Sequence, residues 1–266
     1  MEHLLLTAIN AALKAGHEIN SIYNDPSSDF GIERKNDNSP LTIADKKSNE
    51  VIMSFLCHTP YPVLSEEGRD IPFDERKDWK TLWIVDPLDG TKEFIKKNGE
   101  FTVNIALVKN QVPVLGVIYL PVKKTLYFAA EGFGSFKAEP AEDSDTFSVG
   151  EWILRSEKLP VLQSDRPYRV VASRSHCSEE TQSFIASLEE IHGNIERVSS
   201  GSSIKICMVA EGCADIYPRF APTMEWDTAA GHAIALYAGK QIYQQDNTTP
   251  VLYNKSDLLN PWFIVR

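Results

Sequence analysis

The chain has 266 residues, 42% of them hydrophobic and 24% charged, the composition of a folded soluble protein that fits one large domain or two modest ones of roughly 100–200 residues each. Its formal charge of −10 excludes a protein that wraps a nucleic acid polymer, which needs a concentrated Lys/Arg surface. A small phosphorylated ligand remains compatible if metal ions supply the local positive charge.

The N-terminus MEHLLLTAINAALKAGHEI has the apolar spacing of an amphipathic helix and lacks the basic start and unbroken apolar run of a signal peptide. No window reaches the roughly 18–20 apolar residues of a membrane span, so a first helix ending near Tyr23 is expected, in a cytoplasmic protein without a transmembrane segment. Contact with a membrane surface and the oligomeric state stay open. Residues 25–28 supply a turn and IERKNDNSP is polar; LTIADKKSNEVIMSFLCHT then predicts a second long helix with Thr42 as its cap and Asp45 near its start. VLSEEG reads as a short strand ending in Glu66 and Glu67. TLWIVD, FTVNIALVKN, VPVLGVIYLP and TLYFAAEGFGSFKA are β-rich and separated by turns, which predicts a mostly antiparallel sheet.

An acidic, irregular stretch between about Glu139 and Arg166 marks a candidate boundary. It divides the chain into an N-terminal α+β subdomain, residues 1–150, and a C-terminal α/β subdomain, residues 151–266. In the second, the strands YRVVASRS, IERVSS and ADIYPRF alternate with the helices SEETQSFIASLEEIH, SSIKICMVAEGC and DTAAGHAIALYAGK, the last beginning at Asp227. The expectation is a layered sandwich of helices and two sheets whose halves face one cleft. The four cysteines, Cys57, Cys177, Cys207 and Cys213, have no CxxC spacing, so reduced, mostly buried thiols are expected rather than a zinc site or a redox pair.

The stretch WIVDPLDGTKEF places Asp86 and Asp89 directly after a buried-looking strand. Two ionised carboxylates there repel each other unless a cation sits between them, and Pro87 holds them in a tight turn. Oxygen ligands of this kind suit a hard divalent cation. The competing reading is a capped turn in which Asp89 accepts backbone N–H bonds. Asp45, Glu66 and Asp227, each at the end of an element, add to the metal reading. Gly90 and Thr91 precede KEFIKK, where backbone N–H groups at a helix start could receive a phosphate and the Thr91 hydroxyl could orient a water; an ordinary N-cap explains Thr91 equally well.

LSEEG, WIVDPLDGTKEF and TMEWDTAAGHAI, in that order, resemble the lithium-sensitive, magnesium-dependent phosphomonoesterase superfamily of inositol monophosphatases and fructose 1,6-bisphosphatases. Within it, Lys92 and Glu93 after the threonine, and the stretch from residue 201 to 233, are similar to 3'(2'),5'-bisphosphate nucleotidases of the CysQ type. The resemblance implies a layered αβαβα sandwich and an enzyme that hydrolyses the 3'-phosphate of adenosine 3',5'-bisphosphate. It also implies two or three Mg2+ ions held by Glu66, Asp86, Asp89, Asp227 and the backbone carbonyl of Leu88, with Asp45 and Thr91 activating the attacking water. Two such ions can hold the nucleophile and stabilise the leaving oxygen without a covalent enzyme intermediate. Sulfur assimilation is the metabolic setting that the resemblance implies.

Substrate contacts are expected at Glu66, Leu88, Asp89, Gly90, Thr91 and Asp227, with the nucleotide reached by Ser175, His176, Gly201, Ser202, Lys205 and Arg219. For Ser175 and His176 the competing reading is a helix cap and an exposed imidazole; for Gly201, Ser202 and Lys205 it is a capping sequence with a surface lysine. His232, one turn beyond Asp227, is expected to be structural. The alternatives are an inositol monophosphatase or related sugar phosphatase, which shares the metal chemistry, and a metal- or nucleotide-binding regulator without activity, which the complete acidic set disfavours.

Overall fold

Residues 1–34, 39–141, 143–161, 166–172 and 178–266 are described in the computed structural model of the chain. Helix α1 (Glu2–Asn24) buries Leu5, Ala8, Ile9, Ala12, Ala15 and Ile19, the three- and four-residue spacing of one helical face. Strands β1 (Glu33–Arg34) and β2 (Pro40–Leu41) pair antiparallel, and α2 (Ile43–Leu56) packs on α1. Thr42 caps α2 as expected, its hydroxyl accepting from Ala44 N and Asp45 N.

There follow β3 (Val63–Ser65), α3 (Phe73–Arg76), β4 (Thr81–Asp89), α4 (Thr91–Ile95), β5 (Thr102–Lys109), β6 (Val112–Leu120), β7 (Thr125–Ala130), β8 (Gly134–Ala138), α5 (Val149–Leu154) and β9 (Glu157–Lys158). The seven strands β3 to β9 form one sheet in sequence order, antiparallel except for the parallel pair β3 and β4. Two expectations need correction here. Glu66 and Glu67 lie in the turn after β3 rather than in the strand, with Gly68 N donating to Ser65 O at 3.0 Å. The stretch expected to be irregular contains α5, capped by Ser148 and Glu151, and the last strand of the sheet.

The rest of the chain supplies β10 (Tyr168–Ala172), α6 (Glu179–His192), β11 (Ile195–Ser199), α7 (Ile204–Glu211), β12 (Tyr217–Arg219), α8 (Glu225–Tyr237), β13 (Ile242–Gln244) and β14 (Phe263–Val265). The parallel pair β10 and β11 is joined by a Val170–Ile216 bridge to the antiparallel group β12, β14, β13. Strand–helix alternation was legible up to α8; β13 and β14, each three residues long, were not.

Alternation along β4 explains the layers. Trp83 and Val85 face α1 and α2, whereas Leu82 and Ile84 face α7 and α8, because successive side chains of a strand point to opposite faces. On the far side of the second sheet, Ile185 and Leu188 of α6 pack against Val170, Ile216 and Ile264. The order is helix pair, sheet, helix pair, sheet, helix: the expected αβαβα sandwich. Gly116 of β6 lets α8 lie close, since a Cβ there would fall 2.3 Å from Ala230 O. Of the described cysteines, Cys207 is buried, Cys213 partly so and Cys57 exposed, which corrects the expectation of mostly buried thiols.

Candidate metal centre and cleft

Strand β4 does not stop at Asp86. It continues to Asp89, with Asp86 opposite Asn104 and Asp89 opposite Thr102; one extra residue is accommodated as a bulge, so the expected tight turn is a bulged strand end. Ser48 Oγ of α2 donates to Pro87 O at 2.6 Å, and Leu88 N donates to Asp86 Oδ1 at 3.0 Å. The local side-chain-to-backbone bond that the competing capped-turn reading put at Asp89 is made by Asp86. Asp89 Oδ2 instead accepts from Ser203 N at 2.6 Å, across 114 residues of chain.

Glu66, Asp86 and Asp227 converge, with one carboxylate oxygen of each lying within 4.8 Å of the others. Glu66 is placed by its own N–H, which donates to Val85 O at 3.1 Å. Asp227 is the third residue of α8 rather than the first, and its Oδ2 accepts from Met224 N at 2.8 Å. Burial and the neighbouring Glu66, Asp89 and Asp227 push the Asp86 carboxyl well above its ordinary value. Burial with Asp89 and Glu66 pushes Asp227 up to about 8. Burial also raises Asp89, although Lys205 and the Ser203 N–H draw it back. A divalent cation among these carboxylates would offset the mutual repulsion of their charged forms, and an all-oxygen donor set suits Mg2+. The residues fit a divalent ion.

Asp45 and Thr91 meet beside this cluster. Thr91 Oγ1 lies 3.0 Å from Asp45 Oδ1 and 3.4 Å from Leu88 O. The other Asp45 oxygen accepts from Thr42 N at 2.7 Å, and burial raises the Asp45 carboxyl. The cap of α4 is Gly90, at φ 95°, and not Thr91, which leaves the threonine hydroxyl to Asp45. Leu88 is buried within the bulge.

A cleft opens from Asp89 and Asp227 past Gly90, Glu93, Gly201, Ser202, Lys205 and Arg219. Lys205 is not a surface lysine: it is 5% exposed, donates to Ser200 O at 3.3 Å and to Ser202 O, and lies over the Tyr217 ring. Its desolvation lowers it to about 8, against the opposing pull of Asp89. Ser202 has φ 43° and a buried hydroxyl without a partner among the described residues. Gly201 N is already engaged by Glu100 Oε2 at 2.8 Å, so this N–H is not open to a phosphate as the structure stands. Arg219 Nη2 donates to Pro222 O at 3.1 Å. Ser175 and His176 lie outside the described residues. His232 is structural as expected, hydrogen bonded to Tyr253 OH at 3.0 Å and to Gln241, and its burial lowers it to about 4.

Sequence reasoning missed Ser48, Glu100 and Asn104. Ser203 Oγ bonds Asn104 Oδ1 at 2.9 Å and Thr102 Oγ1 at 2.8 Å. The signal for Asn104 was available: an amide in the middle of the apolar run TVNIALV, whose burial demands a polar partner. Nothing local marks Ser48 or Glu100.

A model of the inositol monophosphatase family matches residues 1–261. The 3'(2'),5'-bisphosphate nucleotidase CysQ of Salmonella typhimurium is 45% identical over 96% of both chains. The crystal structure of CysQ from Bacteroides thetaiotaomicron superposes with a TM-score of 0.93 at 59% identity, covering 100% of this chain and 97% of that one. Inositol monophosphatase from Anabaena (Nostoc) sp. PCC 7120, at 24% identity and a TM-score of 0.70 over 99% of this chain and 90% of that one, shares the fold. With its layers, its converging carboxylates and these likenesses in agreement, the chain belongs to the inositol monophosphatase family, on the side of its CysQ-type members.

Proposed function

We propose that the chain is a Mg2+-dependent phosphatase that hydrolyses the 3'-phosphate of adenosine 3',5'-bisphosphate, giving AMP and phosphate. The observation that carries this reading is the convergence of Glu66, Asp86 and Asp227 beside a cleft that Asp227 lines together with Lys205 and Arg219. The CysQ likeness supplies the nucleotide. Glu66, Asp86, Asp89, Asp227 and the Leu88 carbonyl would hold two or three ions; when bound, these polarise the phosphate and the attacking water and stabilise the leaving oxygen. Thr91 Oγ1 orients the water, and the proton passes through that hydroxyl to Asp45, whose burial makes it a better base than an ordinary carboxylate. The water oxygen bonds to phosphorus, the bond to O3' breaks, and O3' departs with a proton from solvent.

Lys205 and Arg219 bring positive charge to the anionic nucleotide, Gly90, Gly201 and Ser202 shape its path, and Ser175 and His176 complete the nucleotide side. On this reading residues 1–150 supply most of the metal centre, and residues 151–266 the nucleotide contacts and Asp227. The reaction would clear a by-product of sulfate activation in the cytoplasm, and Li+ would inhibit it by occupying a Mg2+ position. Turnover of adenosine 3',5'-bisphosphate is expected to exceed that of inositol 1-phosphate in Mg2+, and Asp89→Asn to nearly abolish phosphate release from a folded protein. A clear preference for the inositol ester would overturn the nucleotide assignment, and activity surviving Asp89→Asn would overturn the metal assignment.

A further inference from the structure

The segments carrying Glu66 and Asp227 are joined by a buried polar network that the proposed chemistry does not use. Arg76, ten residues after Glu66, is 2% exposed. Its Nε donates to Ile71 O at 3.4 Å, Nη1 to Asn254 Oδ1 at 3.0 Å and to Lys255 O, and Nη2 to Ser256 O at 3.0 Å. Asn254 answers from Nδ2, to Arg76 O at 2.9 Å and Trp79 O at 3.4 Å. The backbone N–H groups of Asn254 and Lys255 donate to the two oxygens of Glu225 at 2.6 and 3.0 Å, and Lys255 Nζ reaches the same carboxylate. Glu225 is fully buried, opens α8 and stands two residues before Asp227.

A buried ionic network is weak evidence of stability, because desolvating its charges costs about as much as pairing them returns. Its contribution is geometry. Glu66 hangs from β3, three residues long and at the edge of its sheet, and it faces two carboxylates of like charge. Strand pairing on one side is a poor anchor against that repulsion. The network ties the chain beyond Glu66, through α3, to residues 254–256, which lie 178 to 180 positions from Arg76, and these in turn hold Glu225 at the start of α8.

We propose that Arg76, Asn254 and Glu225 are positioning residues that hold the Glu66 segment and the start of α8 at the separation a divalent cation needs; the inference rests on the metal-centre reading above. Asn254 has φ 57°, a conformation glycine adopts freely. Asn254→Gly therefore keeps the backbone and its N–H to Glu225 while removing the side-chain bonds to Arg76 and to Trp79 O, and Arg76→Lys removes the planar fork that also reaches Lys255 O and Ser256 O.

The test is Mn2+ binding to the purified full chain, read by loss of the free-ion EPR signal. Both variants are expected to raise the dissociation constant about 10-fold, as losing groups that orient metal ligands does, while kcat at saturating Mn2+ stays near native. Ile185→Val, in the remote core under α6, is expected to leave the constant unchanged. Native affinity in both variants overturns the proposal alone, as does an equal loss in Ile185→Val, which would mean general loosening. A native chain that binds no Mn2+ overturns the metal-centre reading and this inference with it. If Asn254→Gly fails to fold, Arg76→Lys decides.

Discussion

Asp227 carries one function at the expense of another. Its carboxyl titrates at about 8 in the folded chain against an ordinary 3.8, so between these values the folded protein retains a proton that the unfolded chain has released. This group therefore favours folding below about pH 4, and that contribution is lost as pH rises through 8. In EDTA, Asp227→Asn is expected to melt above the native protein at pH 8 and close to it at pH 4; saturating Mg2+ should reverse the order at pH 8, because only the native chain binds the ion fully. Thr91 gives a contrasting case. Its side chain is only part-buried and its hydroxyl contacts Asp45, so Thr91→Ala should lower kcat by about 10²–10³ and leave Mn2+ affinity near native, with Thr91→Ser recovering most of the rate.

At the level of elements, two helices deliver site carboxylates in the same way. Asp45 in α2 and Asp227 in α8 are each the third helical residue, and each gives one oxygen to the N–H of the capping residue, Thr42 or Met224. The second oxygen is left facing the site. A carboxylate at that position is also favoured by the positive end of the helix, which offsets part of the repulsion among the acids. The position of α8 in turn depends on the bare backbone of Gly116 beneath Ala230. Gly116→Ala would force the helix off the sheet, and a loss of about 1–3 kcal/mol is expected from overpacking, measured by urea unfolding. Metal affinity should fall as well, because Asp227 moves with the helix.

For the whole molecule, the candidate metal centre lies where the large sheet, the starts of α2 and α8 and Ser203 before α7 meet, so an ion bound there would be linked to the packing of all of them. Mg2+ at about 100 times its dissociation constant should add about 2.7 kcal/mol to unfolding stability, which appears as a rise of several degrees in melting temperature. The same ion should slow hydrogen exchange on both sides of the Asp89–Ser203 contact, in β4 and at the start of α7. A rise confined to β4 would show that the halves are not coupled through it.

The sequence alone determined the long helices and strands and located the acids that a cation site would draw on. Period-2 and period-3.6 apolar patterns are local properties, Thr42 announces a helix within four residues, and two carboxylates after a buried strand suit a hard cation or a capped turn, between which the local sequence does not choose. It could not determine which groups meet. That Asp89 accepts from Ser203 rather than from its own turn, that Lys205 is buried, that Gly201 N is engaged by Glu100 and that Arg76 reaches Asn254 all depend on strand order and layer packing. Contacts between residues 100 to 180 positions apart have no periodicity to announce them, and only the tertiary structure decided them.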